Sequence, residues 1–111
     1  MSNYKYLLAP GNAAQNANWI QAVADTLALS CKINQESILT LNYKHWKTDQ
    51  EIIDFNYELN TLRTLKLDAL TTVFAKSAGI ILIMLAVINN IIKAKRFVFT
   101  GFPYYFAKRV K

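Results

Sequence analysis

The strongest constraint on the fold of this chain is a change of hydrophobic period that recurs along it. Tyr4-Lys5-Tyr6-Leu7-Leu8-Ala9 is a short apolar and aromatic run stopped by Pro10-Gly11-Asn12, which predicts a strand entering a turn. From Asn16 to Ser30 the spacing becomes helical: Trp19, Val23 and Leu27 recur every four residues, with Ile20 and Ala24 beside them. Ser37 to Tyr43 is again strand-like, rich in β-branched and aromatic residues and without helical periodicity. Thr48-Asp49-Gln50-Glu51 has the form of a helix start, with Thr48 as cap and Glu51 three residues later as in a capping box. Ile52, Phe55, Leu59, Leu62 and the stem of Lys66 then supply a buried face. Leu70 to Ala75 predicts a third strand, Ile80 to Ile92 a third helix, and Arg96 to Thr100 a fourth strand ended by Gly101 and Pro103.

Strand and helix alternate four times to three, the pattern of βαβ units that feed a parallel sheet through right-handed crossovers. The expected architecture is α/β: a three-layer, doubly wound parallel sheet of four strands in the order 2-1-3-4, with three helices. The third helix is apolar all round except for Asn89 and Asn90, which predicts a helix packed deep against the sheet. About thirteen apolar residues fall short of the roughly twenty that cross a hydrocarbon core, so a membrane span is the weaker reading. With 111 residues, no internal repeat and no linker-like tract, a single domain over 1–111 is expected. Hydrophobic residues at 53% against 18% charged exclude a disordered chain.

The net charge of +6 would ordinarily point to nucleic acid or an anionic membrane. Its placement argues otherwise. Lys5, Lys32, Lys44, Lys47, Arg63, Lys66 and Lys76 are balanced by Asp25, Glu36, Asp49, Glu51, Asp54, Glu58 and Asp68. The whole excess is Lys93, Lys95, Arg96, Lys108, Arg109 and Lys111, so it describes the C-terminal end and not the domain. Nucleic acid is therefore not expected as a partner. Residues 102–111 form a basic aromatic tail, Phe102-Pro103-Tyr104-Tyr105-Phe106 followed by Lys108, Arg109 and Lys111. That composition suits a membrane surface or single-stranded nucleic acid, or else a loop packed under a missing half-domain. One cysteine, Cys31, excludes an internal disulfide framework, and one histidine, His45, leaves no Cys/His set for structural zinc. The apolar run before Pro10 is shorter than a signal-peptide core, so a cytoplasmic location is expected.

Two turns carry the candidate chemistry. Ala75-Lys76-Ser77-Ala78-Gly79 has the form small-x-Ser-x-Gly between a predicted strand and a predicted helix. A nucleophile elbow needs its serine on a sharp, strained turn and needs small neighbours two residues either side, as Ala75 and Gly79 are. The backbone N–H of Ala78 and the helix N-terminus would then face a developing oxyanion. The alternative is that Ser77 only caps the helix while Gly79 relieves crowding. Pro10-Gly11-Asn12 follows the first strand as the serine turn follows the third. In a 2-1-3-4 sheet these strands are neighbours, and their carboxyl ends bracket the crevice where such folds bind ligands. The Asn12 N–H would supply a second oxyanion donor across it; the alternative is a plain Pro-Gly turn.

Taken together, the two turns resemble those of the α/β-hydrolase fold, and most of all the small serine hydrolases of the retinoblastoma-binding-protein type. Leu7-Leu8-Ala9-Pro10-Gly11-Asn12 and Trp19 are similar to that family's opening strand, turn and tryptophan-bearing helix. Val73-Phe74-Ala75-Lys76-Ser77-Ala78-Gly79 is similar to its nucleophile strand and elbow, and Phe97-Val98-Phe99-Thr100-Gly101 to the strand after it. The resemblance implies Ser77 as nucleophile, Ala78 and Asn12 as oxyanion donors, Gly79 and Gly11 as elbow and turn glycines, an ester or other acyl substrate of small size, an acyl-enzyme, and no cofactor.

Two departures accompany it. Ala75-Lys76 stands where the family usually has Gly-His. More importantly, the family's acid and histidine follow the serine, and no Asp, Glu or His follows Ser77 in this chain. A serine without a base stays protonated and is a poor nucleophile. The expectation is therefore either a portion completed by a complementing segment, which would also cover the open edge of strand four, or a relative that does not turn over; a homo-oligomer would cover that edge as well. The competing class is a non-catalytic binding protein that engages a membrane or a protein partner through the third helix and the tail. His45 is expected as a surface or cap histidine. Lys76 would act as a base only if burial depressed its pKa. Asp49, Glu51, Asp54 and Glu58 read as a solvated helix face.

Overall fold

Leu7, Leu8 and Ala9 have no solvent exposure at all, which requires cover on both faces of the strand that carries them. In the computed structural model, which describes residues 4–65, 67 and 69–101, that strand is β1 (Tyr6–Ala9) and it lies inside a four-stranded, all-parallel sheet. The order is β2 (Ile38–Thr40), β1, β3 (Thr72–Lys76), β4 (Arg96–Thr100), as the alternation predicts. Helix α1 (Asn16–Cys31) covers one face, with Ile20 and Ala24 packed on Leu8 and Ile38. Helices α2 (Phe55–Thr64) and α3 (Ala78–Ile88) cover the other, where Leu62, Ile80, Leu82, Ile83 and Ala86 meet Leu7, Val73 and Ala75. Three layers result. No helix among the described residues is long and apolar enough to cross a membrane.

The differences from expectation have local causes. Strand β2 is shorter than Ser37–Tyr43. The Leu41 N–H still donates to Leu8 O (3.0 Å), but the chain then leaves the sheet into a 3-10 turn at Lys44–Lys47. Helix α2 does not start at Thr48. That hydroxyl donates to His45 O (3.1 Å) and accepts the Gln50 N–H (3.1 Å), closing the end of the 3-10 turn. Asp54 is the actual cap, its Oδ1 accepting the Tyr57 N–H at 3.1 Å, so Ile52 precedes the helix. The acids accordingly do not form one solvated face: Asp49 and Glu51 lie in the loop, Asp54 caps, and Glu58 is buried. The Lys66 stem lies outside the described residues, as does the 102–111 tail.

Helix α3 begins two residues earlier than its apolar run suggests and stops at Ile88. Asn90 takes φ 57°, and the Asn90 and Ile91 N–H groups return to Val87 O (3.0 Å) and Ala86 O (2.8 Å), a Schellman stop. It is not packed deep all round. Met84, Val87 and Ile88 remain 44%, 40% and 71% exposed, and all of β4 is exposed because only β3 pairs with it. All-round hydrophobicity fixes which residues can be buried, but a four-stranded sheet supplies cover for one side only.

Candidate active site

Register brings the two sequence turns to one rim. Ala9 pairs with Ala75 in the parallel β1–β3 ladder, so Pro10-Gly11-Asn12 and Ser77-Ala78-Gly79 leave the sheet side by side at its carboxyl end. Gly79 makes the approach possible. A Cβ built there would stand 2.2 Å from Ala9 O and 2.7 Å from Pro10 O, so a side chain at this position of α3 would collide with the backbone where β1 ends.

Ser77 occupies the tip of the strand-to-helix turn at φ 54°, ψ −121°. That conformation is unfavourable for a residue with a Cβ and costs on the order of 1–3 kcal/mol. Three hydrogen bonds hold it: the Ser77 N–H donates to both Thr100 O (3.2 Å) and Gly101 O (3.1 Å), and Ser77 O accepts the Ile80 N–H at 2.9 Å as the first turn of α3. The hydroxyl does not cap the helix. Capping therefore does not account for Ser77. Ser77 and Asn12 are half-buried, whereas Ala78 is fully buried behind them. Among the described residues, neither the Ala78 N–H nor the Asn12 N–H has a hydrogen-bond acceptor.

The Asn12 turn is far from plain. Its side chain bridges a distant loop, Nδ2 donating to Glu51 O and Oδ1 accepting the Ile53 N–H, both at 2.7 Å. Gly11 N–H donates to Asn16 Oδ1 (3.3 Å), which ties the turn to the start of α1. Three ring donors from one short segment complete the frame. Tyr43 OH donates to Pro10 O (2.6 Å), while His45 Nε2 and Trp46 Nε1 both donate to Asn12 O, at 2.7 and 2.8 Å. Because a carbonyl can only accept, Nε2 carries the His45 proton.

His45 is thus neither a surface nor a cap residue; it is 5% exposed, and its Nδ1 is buried without a hydrogen-bond partner among the described residues. Sequence reading missed this role for Tyr43, His45 and Trp46, although three ring donors within four residues at the end of a strand were a visible signal. Glu58 supports the same segment from α2, Oε2 accepting the Lys44 N–H at 3.0 Å. Burial pushes its carboxyl above the usual value, only partly offset by the hydrogen bond from the Lys44 N–H. Burial likewise drives the Tyr43 phenol far up. Lys76 points away from the serine, its Nζ 4.5 Å from the centre of the Trp19 ring on the α1 side of the sheet, so it is not placed as a base.

No model of a protein family, no curated protein and no solved structure matches the chain.

Proposed function

We propose that this chain is a serine-hydrolase-like α/β domain that acts on a small ester or other acyl substrate, with Ser77 as nucleophile and the N–H groups of Asn12 and Ala78 as oxyanion donors. One observation carries the reading: Ser77 is held in a strained left-handed conformation at a strand-to-helix tip while its hydroxyl is not spent on capping. Strain of that kind persists where a function needs the side chain aimed outward. In the step proposed, Ser77 Oγ bonds to the acyl carbon, its proton passes to a base, and the carbonyl oxygen becomes an oxyanion facing the two N–H groups; collapse expels the leaving alcohol and leaves the acyl-enzyme.

Neither a base nor its carboxylate partner follows Ser77 here, so turnover needs an Asp and a His brought to the rim by a complementing segment, whereas a single attack on a strong electrophile draws on the strained serine and the two N–H donors alone. The uncovered edge of β4 and the apolar groove of about 270 Å³ between Met84, Val87, Ile88, Phe97 and Phe99 are where a further strand and helix would add. The exposed, unpaired Cys31 fits a reducing compartment, and we place the activity in the cytoplasm.

A fluorophosphonate probe tests the reading directly, because Ser77 Oγ displaces fluoride at phosphorus and the adduct is read by mass. Labelling abolished in Ser77→Ala is the expected result. The same exposed patch on α3 and β4 favours a second reading, a non-catalytic binding protein; absence of labelling together with binding to anionic vesicles would select it.

A further inference from the structure

Three ring donors converge on two carbonyls of one three-residue turn, which is more hydrogen bonding than satisfying those oxygens requires. Asn12 O alone receives both His45 Nε2 and Trp46 Nε1, so both of its lone pairs are used. Pro10 O, two residues back, receives Tyr43 OH. The Asn12 N–H lies between these two pinned peptides and itself donates to nothing among the described residues. His45 holds its place at a cost: Nδ1 is buried without a hydrogen-bond partner among the described residues, a loss that a purely apolar ring would not incur.

We propose that His45 is a positioning residue for the reaction at Ser77. It orients the Asn12 N–H as an oxyanion donor by clamping the next peptide of the turn. The inference rests on the serine-hydrolase reading and extends it to the groups that hold the oxyanion site. His45 is not the general base. Its protonated nitrogen is bound to Asn12 O, and the other is enclosed, so from this position it takes no proton from Ser77. The physical reason for the clamp is that a hydrogen-bond donor stabilises a developing charge only if it is already aimed when the charge forms. A free Pro-Gly-Asn turn would have to be ordered during the reaction.

The test uses the full chain, a fluorophosphonate as probe, and two variants. His45→Phe keeps a ring of similar size and removes the donor; His45→Gln returns an N–H to about the position of Nε2. His45→Phe is expected to slow the second-order labelling of Ser77 about tenfold or more and to lower the Asn12 amide order parameter from about 0.85 towards 0.6, with Val73 in the core unchanged. His45→Gln is expected to restore both to near the unsubstituted values. Nitrogen shifts of His45 in the unsubstituted protein should report a proton on Nε2, a readout that needs no variant to fold.

Labelling by His45→Phe at the unsubstituted rate, an unchanged Asn12 order parameter, or an Nε2 without a proton overturns the clamp and leaves the hydrolase reading standing. An unsubstituted protein that is not labelled at all overturns that reading, and the role assigned to His45 with it.

Discussion

Replacing Gly79 by alanine opposes two effects of different size, and the sign of the outcome tests the account of how the two turns meet. Alanine in a helix interior is favoured over glycine by about 1 kcal/mol, so propensity alone makes Gly79→Ala stabilising. Packing predicts the reverse. The new Cβ would lie 2.2 Å from Ala9 O and 2.7 Å from both Ala9 C and Pro10 O, more than 1 Å inside the ordinary contact distance of about 3.4 Å for the closest of them. These are backbone atoms at the buried end of a central strand and of the residue after it, and Ala9 cannot retreat without losing its pairing with Ala75. Overpacking of this severity belongs at or beyond the upper end of the usual 1–3 kcal/mol.

The net expectation is a loss of about 2 kcal/mol or more. With a urea slope of about 1.5 kcal/mol/M, the unfolding midpoint should fall by more than about 1 M. Gly11→Ala is the internal comparison. Its Cβ would meet only the Asn16 side chain, nearest atom 3.0 Å, which can move, so its cost should stay within about 1 kcal/mol. A Gly79→Ala protein as stable as the unsubstituted chain, or more so, would refute the close approach of α3 to the end of β1 and with it the shared rim.

Two further outcomes follow from the same geometry. Ser77→Gly should raise stability by about 1 kcal/mol, because relief of a 1–3 kcal/mol backbone strain exceeds the 0.5–1 kcal/mol entropic penalty of glycine; it should also abolish probe labelling, and a drop in the urea midpoint would argue against strain at this residue. Glu58 carries a raised pKa, so between the ordinary carboxylate value near 4.3 and its own value the folded chain holds a proton that the unfolded chain has released. The stability linked to that proton is complete below the lower value and is lost as pH rises through the higher one. Glu58→Gln should therefore gain on the unsubstituted protein as pH rises from about 4 and then level off. A difference in urea midpoint that stays constant with pH would contradict burial as the cause.

Much of this architecture was legible before any coordinates. Apolar runs and four-residue spacings alternate cleanly because a doubly covered parallel strand must be continuously apolar and a helix lying on it must be apolar along a stripe. Leu7-Leu8-Ala9 and the Trp19 to Leu27 spacing obey those rules. The adjacency of the Pro10 and Ser77 turns followed from chain order and crossover handedness. Helix starts were less legible, because Thr48 and Asp54 are both competent caps, and only the 3-10 turn at Lys44–Lys47 decides between them by engaging the Thr48 hydroxyl. His45 was misjudged for a related reason. A lone histidine has no period, and although Tyr43 and Trp46 beside it mark a cluster of ring donors, they do not name Asn12, thirty-three residues away, as the acceptor of its hydrogen bond.

By itself, then, the sequence determined which segments are strands and helices, the order in which they pair, and the placement of a serine between a strand and a helix, since these depend on local periodicity and connection handedness. The tertiary structure alone decided the backbone strain at Ser77, the contact of Gly79 with the end of β1, the burial of His45 and Glu58, and the exposure of one side of α3. Those properties arise where segments distant in the chain compete for the same space and the same hydrogen-bonding groups, and no local pattern encodes the result of that competition.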